Sequence, residues 1–286
     1  MGLRFSITIP SFQQGRYLER AILSVLDQGV ETELFVLDGG STDESVEVIR
    51  RHKDKIVFWR SHQDAGQTAA INEGLAKATG DVFAYLNSDD YFLPGALSLA
   101  GQALEKNAAS WVAGDAWFIR EGQEGRQRLL AEEPPRDPVL LWGHPWCPPQ
   151  PSTFWKTDLL RKVGPFRTDL KFNMDAEMAA RLAHSGFHPA IIQKPLSVRW
   201  DHAQAKSAER GRFFKEWLDV VQAAPLSASQ KKKALQLTRN RIQWGRDVHP
   251  LGKWGQRLAD LVFYPRSLFW FLRSRRKHLS SAINPE

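Results

Sequence analysis

The sequence predicts an α/β protein with a mostly parallel central sheet flanked by helices, followed by a helical, basic C-terminal extension. Apolar, strand-like runs alternate with helical periodicity through the first ninety residues. Strands separated by helices of this length form right-handed βαβ units, which build parallel sheets. The chain has 286 residues, 42% of them hydrophobic and 25% charged, which suits one large domain with an appendage.

The alternation defines the first seven elements in order. Ser41, Thr42 and Asp43 form a capping signal before the second helix. Pro94 and Leu97 indicate that a further helix begins soon after the fourth strand. The predicted strands lie at residues 4–9, 33–37, 55–59 and 82–86, and the predicted helices lie at residues 17–26, 44–51 and 68–78.

The rest of the chain divides into three parts. Residues 121–151 are rich in proline and lack periodicity, which predicts a long connection or flap. Strand and helix patterns return at residues 152–202, with a helix at 175–183. Residues 203–286 are helical, aromatic and basic, with 17 basic and 6 acidic side chains, against 22 basic and 26 acidic ones before them. We therefore place a boundary near residue 205.

Composition also bounds the setting in which the chain works. Cys147 is the one cysteine, so no internal disulfide forms and no oxidising compartment is required. The first ten residues run directly into a strand pattern without the layout of a signal peptide. No run of about 18 apolar residues predicts a transmembrane helix. We therefore expect a cytoplasmic protein.

Polar residues follow each of the four predicted strands in the first ninety residues. Ligands of parallel α/β sheets bind beyond the carboxyl ends of the strands. A single polar tip is typical of any loop, but four tips that share one edge indicate a binding site. The four tips are Pro10-Ser11-Phe12-Gln13, Asp38-Gly39-Gly40, His62-Gln63-Asp64 and Asn87-Ser88-Asp89-Asp90.

The fourth tip ends in two adjacent carboxylates, Asp89 and Asp90. Neighbouring like charges are costly unless a cation shares them, and Mg²⁺ or Mn²⁺ takes oxygen ligands while keeping positions open for phosphate oxygens. The alternative is a hydrogen-bonded pair that caps the following helix. The sequence lacks GxxxxGK(S/T), GxGxxG, CxxC, HExxH and GxSxG, which disfavours a P-loop protein, a Rossmann enzyme, a zinc site and a hydrolase.

Three segments in a fixed order resemble the nucleotide-sugar domain of family-2 glycosyltransferases, which have the GT-A fold. They are SITIPSFQQGRYLERAILSVLDQ, FVLDGGSTDES and DAGQTAAINEGLAKATGDVFAYLNSDDYFLPGAL. The resemblance covers about residues 3–205. It implies that residues 1–95 bind a nucleotide-sugar and residues 96–205 an acceptor, with residues 206–286 as the C-terminal extension.

The resemblance also implies roles for the strand tips. Asp38 would contact the base, typically uracil, which implies a UDP-sugar donor. Asn87, Ser88 and Asp89 stand where the family has its metal-binding DxD motif. The loop of Pro10, Ser11 and Phe12 would lie against the nucleoside, and Asp64, Gly66, Gln67 and Asn72 would lie near the ribose and diphosphate.

The chain departs from the family pattern at four positions. Asn87 replaces the first acid of the DxD motif, so metal ligation depends more heavily on Asp89. Ile71 stands where many members have an arginine, which removes a phosphate contact. Gly39 replaces a second acid after the base-contacting one, and Met174 replaces an acid beside the catalytic base.

Two further residues come from the second half of the resemblance. NMDAEMAARL at 173–182 resembles the start of a family helix, which implies that Asp175 is the catalytic base. RWDHAQAKS at 199–207 resembles a late loop whose histidine completes the metal shell, which implies His202 as a ligand. Taken alone, Asp175 is better explained as a helix N-terminal charge favoured by the dipole, and His202 as a structural histidine.

These residues suit a single displacement with inversion at the anomeric carbon. A carboxylate takes the proton of an acceptor hydroxyl, while a divalent ion offsets charge on the departing nucleoside diphosphate. We expect an inverting glycosyltransferase that uses a UDP-sugar and Mn²⁺ or Mg²⁺ on a glycan or lipid-linked acceptor, in bacterial-type surface polysaccharide synthesis. The alternatives are a non-catalytic nucleotide-sugar binder and a nucleic-acid-binding protein.

The basic tail has three interpretations: solvated helix faces, nucleic-acid binding and contact with a membrane surface. Within residues 256–278, Leu, Phe, Tyr and Trp lie beside a cluster of Arg and Lys, as in interfacial segments. We favour peripheral membrane contact, because acceptors of such enzymes are often lipid-linked sugars. We expect no nucleic-acid partner, because the acidic first part would repel phosphate backbones.

Overall fold

The computed structural model describes residues 2–205 and 210–247, which form an α/β fold around a central sheet. Its first half alternates strand and helix as predicted. The third strand begins three residues later than the predicted one, because residues 53–55 form a 3₁₀ turn after the second helix. The elements are β1 (Phe5–Ser11), α1 (Gly15–Leu26), β2 (Thr32–Asp38), α2 (Ser45–His52), β3 (Phe58–Ser61), α3 (Gln67–Lys77) and β4 (Val82–Tyr85).

Strands β3, β2, β1 and β4 lie side by side in that order and are all parallel. Their register places Ser11 beside Asp38 and Asp38 beside Ser61, so the tips of three strands meet at one edge. Pro10 and Ser11 belong to β1 rather than to the loop after it. Because β4 pairs with β1 only as far as Thr8, Pro10 lies beyond that ladder, where its missing N–H removes no bond to β4.

The second half of the described sheet is mixed. After β4 come β5 (Tyr91–Phe92), α4 (Ala96–Lys106), β6 (Trp111–Arg120), β7 (Gln127–Leu129), α5 (Pro138–Gly143), β8 (Thr153–Lys156), α6 (Thr157–Val163), α7 (Met174–His184) and β9 (Ala190–Asp201). The order is β3-β2-β1-β4-β8-β6-β9-β5, and β7 pairs with β6 off this path. Strand β8 is antiparallel to both β4 and β6, whereas β6 and β9 are parallel. The parallel arrangement predicted from the sequence thus describes mainly β1 to β4.

The region 121–151, predicted as a long connection, contains strand β7 and helix α5. With three and six residues, these elements are too short for a period to be read from the sequence. Helix α5 begins where the Asp137 carboxylate accepts hydrogen bonds from Val139 N and Leu140 N at 2.7 and 3.1 Å.

Buried side chains cover both faces of the sheet. Val82 and Ala84 of β4 face a cluster that contains Phe5 and Phe154. Phe83 and Tyr85, which alternate with them, face a second cluster rich in tryptophan. This is the period of two that a strand buried on both sides requires, and it explains the unbroken apolar run before the fourth tip.

Two further helices, α8 (Arg210–Ala223) and α9 (Ala228–Asp247), pack against the sheet domain. Trp217 of α8 is fully buried and donates its Nε1–H to the Trp142 carbonyl at 2.9 Å. The Thr238 hydroxyl of α9 donates to the Gly143 carbonyl at 3.0 Å. Residues 210–247 therefore share a hydrophobic core with the preceding part, and the boundary near residue 205 stays a prediction.

The basic extension is only partly covered by the structure. Lys232 and Lys233 are exposed on α9. The segment predicted to contact a membrane, residues 256–278, lies outside the described residues. Among the helices that are described, none combines the length and the apolar character that crossing a bilayer requires.

Glu33 of β2 binds the segments that lead into β1 and β4, at the edge of the sheet opposite the strand tips. Its side chain is 5% exposed and accepts hydrogen bonds from Ser6 Oγ at 2.5 Å, Thr79 N at 2.9 Å and Gly80 N at 3.1 Å. The Arg4 guanidinium and the Thr79 hydroxyl also contact it. Burial raises the pKa of Glu33, but these hydrogen bonds and the Arg4 charge outweigh burial, so the pKa is lowered.

We predict that Glu33→Gln destabilises the protein at pH 7 by about 1–3 kcal/mol, because a buried carboxylate loses charge-assisted bonds. The lowered pKa means that this stability is present above the ordinary pKa of about 4.3 and is lost as the pH falls below it. Urea unfolding at pH 7 and pH 3.5 should therefore show a gap from wild type that narrows in acid. The control is Glu31→Gln, an exposed partner of Arg4, which should change little at either pH. Equal stability of Glu33→Gln and wild type at pH 7 would contradict this account.

Candidate active site

The four polar tips meet at the carboxyl edge of the parallel strands. Gly39 N donates to the Ser11 carbonyl at 2.8 Å, which joins the first tip to the second. His62 N donates to the Asp38 carbonyl at 3.2 Å, which joins the second to the third. The structure thus brings together three of the four tips by direct contact. The fourth tip is joined to the third through the N-terminus of α3, where Gly66 N donates to Asp64 Oδ1 at 2.8 Å and Gln67 Nε2 donates to Asn87 Oδ1 at 2.7 Å.

Asp38, the predicted base contact, is fully buried, and its carboxylate is occupied by its own loop. It accepts hydrogen bonds from Gly40 N at 3.1 Å, from Ser41 N at 2.8 Å and from the hydroxyls of Ser41 and Ser61. A carboxylate offers about four acceptor sites, so these donors saturate it. A base contact by this side chain therefore requires the turn at residues 39–41 to open.

Phe12, Gly39 and Asp64 form a small rim beside Asp38. Phe12 is 60% exposed, which is unusual for a large apolar side chain on a rigid strand tip. A Cβ on Gly39 would lie 3.3 Å from the Phe12 ring and 3.5 Å from Asp64 Oδ1, so an acid at position 39 would press on both. Asp64 accepts from Gly66 N at 2.8 Å and pairs with buried Arg60 at 2.9 Å. Gly66 has φ of 101°, which favours glycine.

Asn87 joins three elements at the fourth tip. Its Oδ1 accepts from Gln67 Nε2 at 2.7 Å, at the N-terminus of α3. Its Nδ2 donates to Asp90 Oδ2 at 3.3 Å and to Gln150 Oε1 at 3.2 Å, and Gln150 in turn donates to the Tyr85 carbonyl. An amide can donate and accept at once, whereas an aspartate here would lose both donated bonds. This explains why asparagine stands where the family pattern has an acid.

Asp89 meets His202 at the end of β9, where Nε2 and Oδ2 are 3.1 Å apart. The His202 side chain is 1% exposed and that of Asp89 17%, so the pair opens to solvent on the Asp89 side. Tyr17 of α1 stacks on the His202 ring at a centroid distance of 4.5 Å. The Tyr17 hydroxyl lies 3.3 Å from Glu121, which also pairs with Arg16.

Arg20 of α1 contacts the backbone of Asp89. Its guanidinium donates to the Asp89 carbonyl at 3.0 Å and lies 4.4 Å from the ring centroids of both Tyr91 and Trp200. Arg20 is half-buried, and this burial lowers the pKa of its guanidinium. The two aromatic faces attract the cation and fix its position. Arg20 therefore sets the backbone conformation of the tip.

Asp90 is buried beside Asp89 and faces the protein interior. Its Oδ1 accepts from Trp200 N at 2.9 Å and its Oδ2 from Asn87 Nδ2 at 3.3 Å. Burial, followed by the charge of Asp89, raises the pKa of Asp90 to about 8. Both oxygens of this predicted metal ligand already have partners. Asp90 does not cap α4, whose cap residue is Gly95.

Asp175 lies in the first turn of α7, where Asp175 and Cys147 are half-buried and Arg199 is exposed. The Asp175 carboxylate lies beside the Cys147 thiol and accepts a hydrogen bond from Ala176 N at 2.8 Å. Burial raises the pKa of Asp175, although Ala176 N, Arg199 and the thiol oppose this shift. The Arg199 charge also opposes the raised pKa of Asp90, so the same cation acts on both carboxyl groups.

The remaining predicted residues have mixed surroundings. The Ser11 hydroxyl is buried and has no hydrogen-bond partner among the described residues, and Ser88 is buried as well. Asn72 is turned away from the tips, because both ends of its amide bond the backbone of Phe166, at 2.8 and 3.0 Å. A cavity of about 510 Å³ opens beside Tyr17; of the predicted residues, Phe12 lines it.

Several residues of this site escaped the sequence interpretation. Tyr17 is the first residue of the predicted helix 17–26 and carries no further signal, and Arg20 is one of three charged residues on α1, with Arg16 and Glu19. Cys147 and Gln150 reach the site from a segment more than 50 residues away from the strand tips, and no local pattern marks them. Arg199 is the first residue of RWDHAQAKS, the stretch that contains His202, and its place in that stretch is the signal that could have found it.

Comparison with known proteins gives a family match. A family model described as Glycosyl transferase family 2 matches residues 6–159, a little more than half of the chain. An uncharacterized glycosyltransferase of Nostoc sp. is 31% identical, over 57% of this chain and 54% of the relative. GalNAc(5)-diNAcBac-PP-undecaprenol beta-1,3-glucosyltransferase of Campylobacter jejuni is 30% identical, over 43% of this chain and 41% of the relative. The chain thus spans about half the length of these relatives.

Solved structures give a match in fold. S. aureus TarS 1–349 in complex with UDP-GlcNAc has a TM-score of 0.61 at 18% identity, covering 84% of this chain and 72% of that chain. Mannosyltransferase PcManGT from Pyrobaculum calidifontis in complex with GDP-Man and Mn²⁺ has a TM-score of 0.59 at 17% identity, covering 96% and 85%. The likeness confirms the predicted GT-A fold.

We predict that Asn87→Asp destabilises the protein by about 1–3 kcal/mol at pH 7, because Asp90 and Gln150 lose their donor. A raised pKa means that the stability contributed by Asp90 is lost as the pH rises toward about 8. The new carboxylate at position 87 raises the pKa of Asp90 further, so the variant goes on losing stability above pH 8, where wild type no longer does. The difference in stability between the variant and wild type should therefore grow between pH 7 and pH 9. Urea unfolding at both values measures this deficit. The control is Gln63→Glu, which adds the same charge on an exposed tip. A deficit that shrinks with rising pH would contradict the prediction.

Proposed function

The chain belongs to glycosyl transferase family 2, and we propose that it is an inverting enzyme that moves a sugar from a UDP-sugar to a hydroxyl group. The observation that carries this proposal is the pairing of Asp89 with His202 at the end of β4. The pair lies at the edge where parallel sheets bind ligands. Asp175, a half-buried carboxylate with a raised pKa, interacts with Arg199, which also interacts with Asp90, and supplies a second acid with a separate role.

The residues at the tip fit a divalent cation. Ligands of an octahedral ion at about 2.1 Å, set at right angles, lie about 3 Å apart, and Asp89 Oδ2 and His202 Nε2 are separated by 3.1 Å. Within the described residues no cluster of three or more His, Cys, Asp or Glu could hold a metal ion. Two protein ligands agree with Mg²⁺ or Mn²⁺, which usually keep waters and phosphate oxygens in their remaining positions. We therefore assign Asp89 and His202 as the ligands and Asp90 as their support.

A bound divalent ion supplies electrostatic stabilisation of the negative charge that develops on the departing nucleoside diphosphate. The residues around it prepare this position before the substrate arrives. Arg20 holds the Asp89 backbone, and Tyr17 holds the His202 ring. Their packing fixes the two side chains, while the Asp89 side chain keeps part of its surface open to solvent.

Asp175 is the proposed general base. An acceptor hydroxyl attacks at neutral pH only if its proton is removed as the new bond forms, and a carboxylate within hydrogen-bond reach does this. Burial brings the pKa of Asp175 closer to the working pH, which makes it a stronger base than an exposed aspartate. One base opposite one leaving group gives inversion.

The choice of donor and acceptor follows from the residues and from the similar proteins. TarS was solved with UDP-GlcNAc and PcManGT with GDP-Man and Mn²⁺, which supports a nucleotide-sugar donor and a metal. The Campylobacter relative is named for a glycan on undecaprenol, which supports a glycan or lipid-linked acceptor in bacterial polysaccharide synthesis. A lipid-linked acceptor would bring the enzyme to a membrane surface, and we propose residues 256–278 as the segment that contacts it.

We predict that Asp175→Asn lowers turnover by about 10²–10⁴-fold, because an amide cannot take the acceptor proton. A thermal-shift panel of nucleotide-sugars with and without Mn²⁺ first selects the donor, and steady-state nucleotide release then gives kcat. Donor affinity should be unchanged. The control is Glu177→Gln, the same change of charge on the same helix, where the lost contact is an ion pair with Arg181. Near-normal turnover by Asp175→Asn would refute the assignment of the base.

We predict that Asp89→Asn weakens nucleotide binding at least tenfold when Mn²⁺ is present and leaves the weak metal-free binding unchanged. The amide keeps the shape of the side chain but loses the charge that holds the cation. Titration calorimetry with UDP, with and without Mn²⁺, measures both affinities. Asp81→Asn is the matched control, since Asp81 lies at the opposite end of β4 and accepts a hydrogen bond from Arg4 N. Equal Mn²⁺-dependent affinity in Asp89→Asn and wild type would count against metal binding at this tip.

A further inference from the structure

Glu216 of α8 holds the segment that leads into α7. Its carboxylate accepts hydrogen bonds from three successive backbone N–H groups, those of Lys171 at 2.5 Å, Phe172 at 2.9 Å and Asn173 at 2.8 Å. The side-chain amide of Asn173 donates a fourth bond at 2.9 Å. Four donors match the acceptor capacity of one carboxylate, and bonds to a charged acceptor are the strong ones.

Asn173 is the cap residue of α7, but its side chain makes no capping bond to that helix. It is fully buried and turned to α8, where it donates to the Phe213 carbonyl at 2.9 Å as well as to Glu216. Helix α8 is itself fixed by Trp217, the residue next to Glu216, through its buried ring and its bond to Trp142. The anchor is therefore rigid on the α8 side.

Asp175 follows this anchored segment by two residues. Its backbone position depends on where α7 begins, and its carboxylate must stay beside Cys147 and Arg199. Without the anchor, the N–H groups of Lys171, Phe172 and Asn173, just before α7, would lose their shared acceptor, and this end of the helix would fray. The position of the carboxylate is then no longer fixed, although the rest of α7 stays packed.

We propose that Glu216 is a positioning residue that holds the Asp175 carboxylate in place from the C-terminal helices. Helix α8 lies beyond the residues that the family model matches, so this role belongs to a part of the chain that the family match leaves without function. The catalytic consequence rests on the proposed function, in which Asp175 is the base. The positional consequence does not, since it concerns only the contacts of Asp175.

The chain carries its own reporter for this position. Cys147 is the single cysteine, and its thiol lies beside the Asp175 carboxylate. Burial and the neighbouring Asp175 carboxylate raise the pKa of the thiol, while Arg199 opposes them. Only the thiolate reacts with a disulfide reagent, so the rate of labelling reads out the environment that Asp175 creates. If the carboxylate leaves, the thiol pKa falls and labelling accelerates.

The test compares Glu216→Gln with Asp219→Asn, the same change of charge at an exposed position of α8. Glutamine has one acceptor oxygen and an NH₂ group that cannot accept, so the four bonds cannot all be kept. The rate of Cys147 labelling by 5,5′-dithiobis(2-nitrobenzoate) is followed from pH 6 to pH 10 on the folded full-length protein. We expect Glu216→Gln to lower the apparent thiol pKa by about one unit, which raises the labelling rate at pH 7 about tenfold. Asp219→Asn should match wild type.

The same pair of variants is then made in the Asp175→Asn background. If Glu216 acts through Asp175, the apparent thiol pKa is already lowered there, and Glu216→Gln adds nothing further. A merely stabilising role would change the unfolding midpoint without moving the thiol pKa. An unchanged pKa in Glu216→Gln, or an equal drop in both backgrounds, would overturn the proposal.

A turnover measurement separates this proposal from the proposed function. With the UDP-sugar selected by the thermal-shift panel, Glu216→Gln should lower kcat at least tenfold while the affinity for UDP with Mn²⁺ stays at the wild-type value. Normal kcat in Glu216→Gln, together with an inactive Asp175→Asn, would refute the positioning role and leave the base assignment intact. An active Asp175→Asn would refute the base assignment, and the labelling result alone would then decide whether Glu216 holds Asp175.

Discussion

The contact between the tip of β4 and the end of β9 is the constraint on which the rest of the site depends. Two bonds make it: Asp89 to His202 at 3.1 Å and Asp90 to Trp200 N at 2.9 Å. β4 belongs to the parallel half of the sheet and β9 to the mixed half, so the contact joins the two parts in which donor and acceptor functions are proposed. Arg20 of α1 adds to this contact, because its guanidinium lies between the rings of Tyr91 and Trp200 and bonds the Asp89 carbonyl.

The parallel half could be predicted because its information is local. Period-two runs and helical runs alternate within ten to fifteen residues, and the rule that ligands bind at the carboxyl ends then locates the site. The mixed half could not, because pairing of β8 between β4 and β6 is decided by packing between residues that are distant along the chain. Short elements such as β7 carry no readable period. The sequence predicts a C-terminal extension here because basic residues dominate its composition. The few buried residues that join α8 and α9 to the core, such as Trp217, do not stand out among them.

The candidate site shows the same division at the level of single residues. The sequence named Asp89 and His202, which lie 113 residues apart, and the structure places them in contact. It could not say which way a side chain faces. Asp38 and Asn72 lie in segments that resemble the family. The Asp38 carboxylate, however, already accepts hydrogen bonds from residues 40, 41 and 61, and the Asn72 amide bonds the backbone of Phe166. Such orientations depend on backbone donors that the sequence does not distinguish. The same holds for Glu216, whose four donors lie more than forty residues earlier.

The two neighbouring carboxylates at the fourth tip have different environments, which explains how they coexist. Asp90 is buried, and a pKa of about 8 keeps it protonated at neutral pH. It can then keep its contacts with Trp200 and Asn87 without placing a second full charge beside Asp89. The arrangement costs stability, because a raised carboxyl pKa contributes stability in acid that is lost as the pH rises toward 8. Asp89 is the member of the pair whose side chain reaches solvent. Burial of Asp90 therefore leaves Asp89, beside His202, as the accessible acid of the tip, which is the arrangement that the proposed cation and diphosphate require.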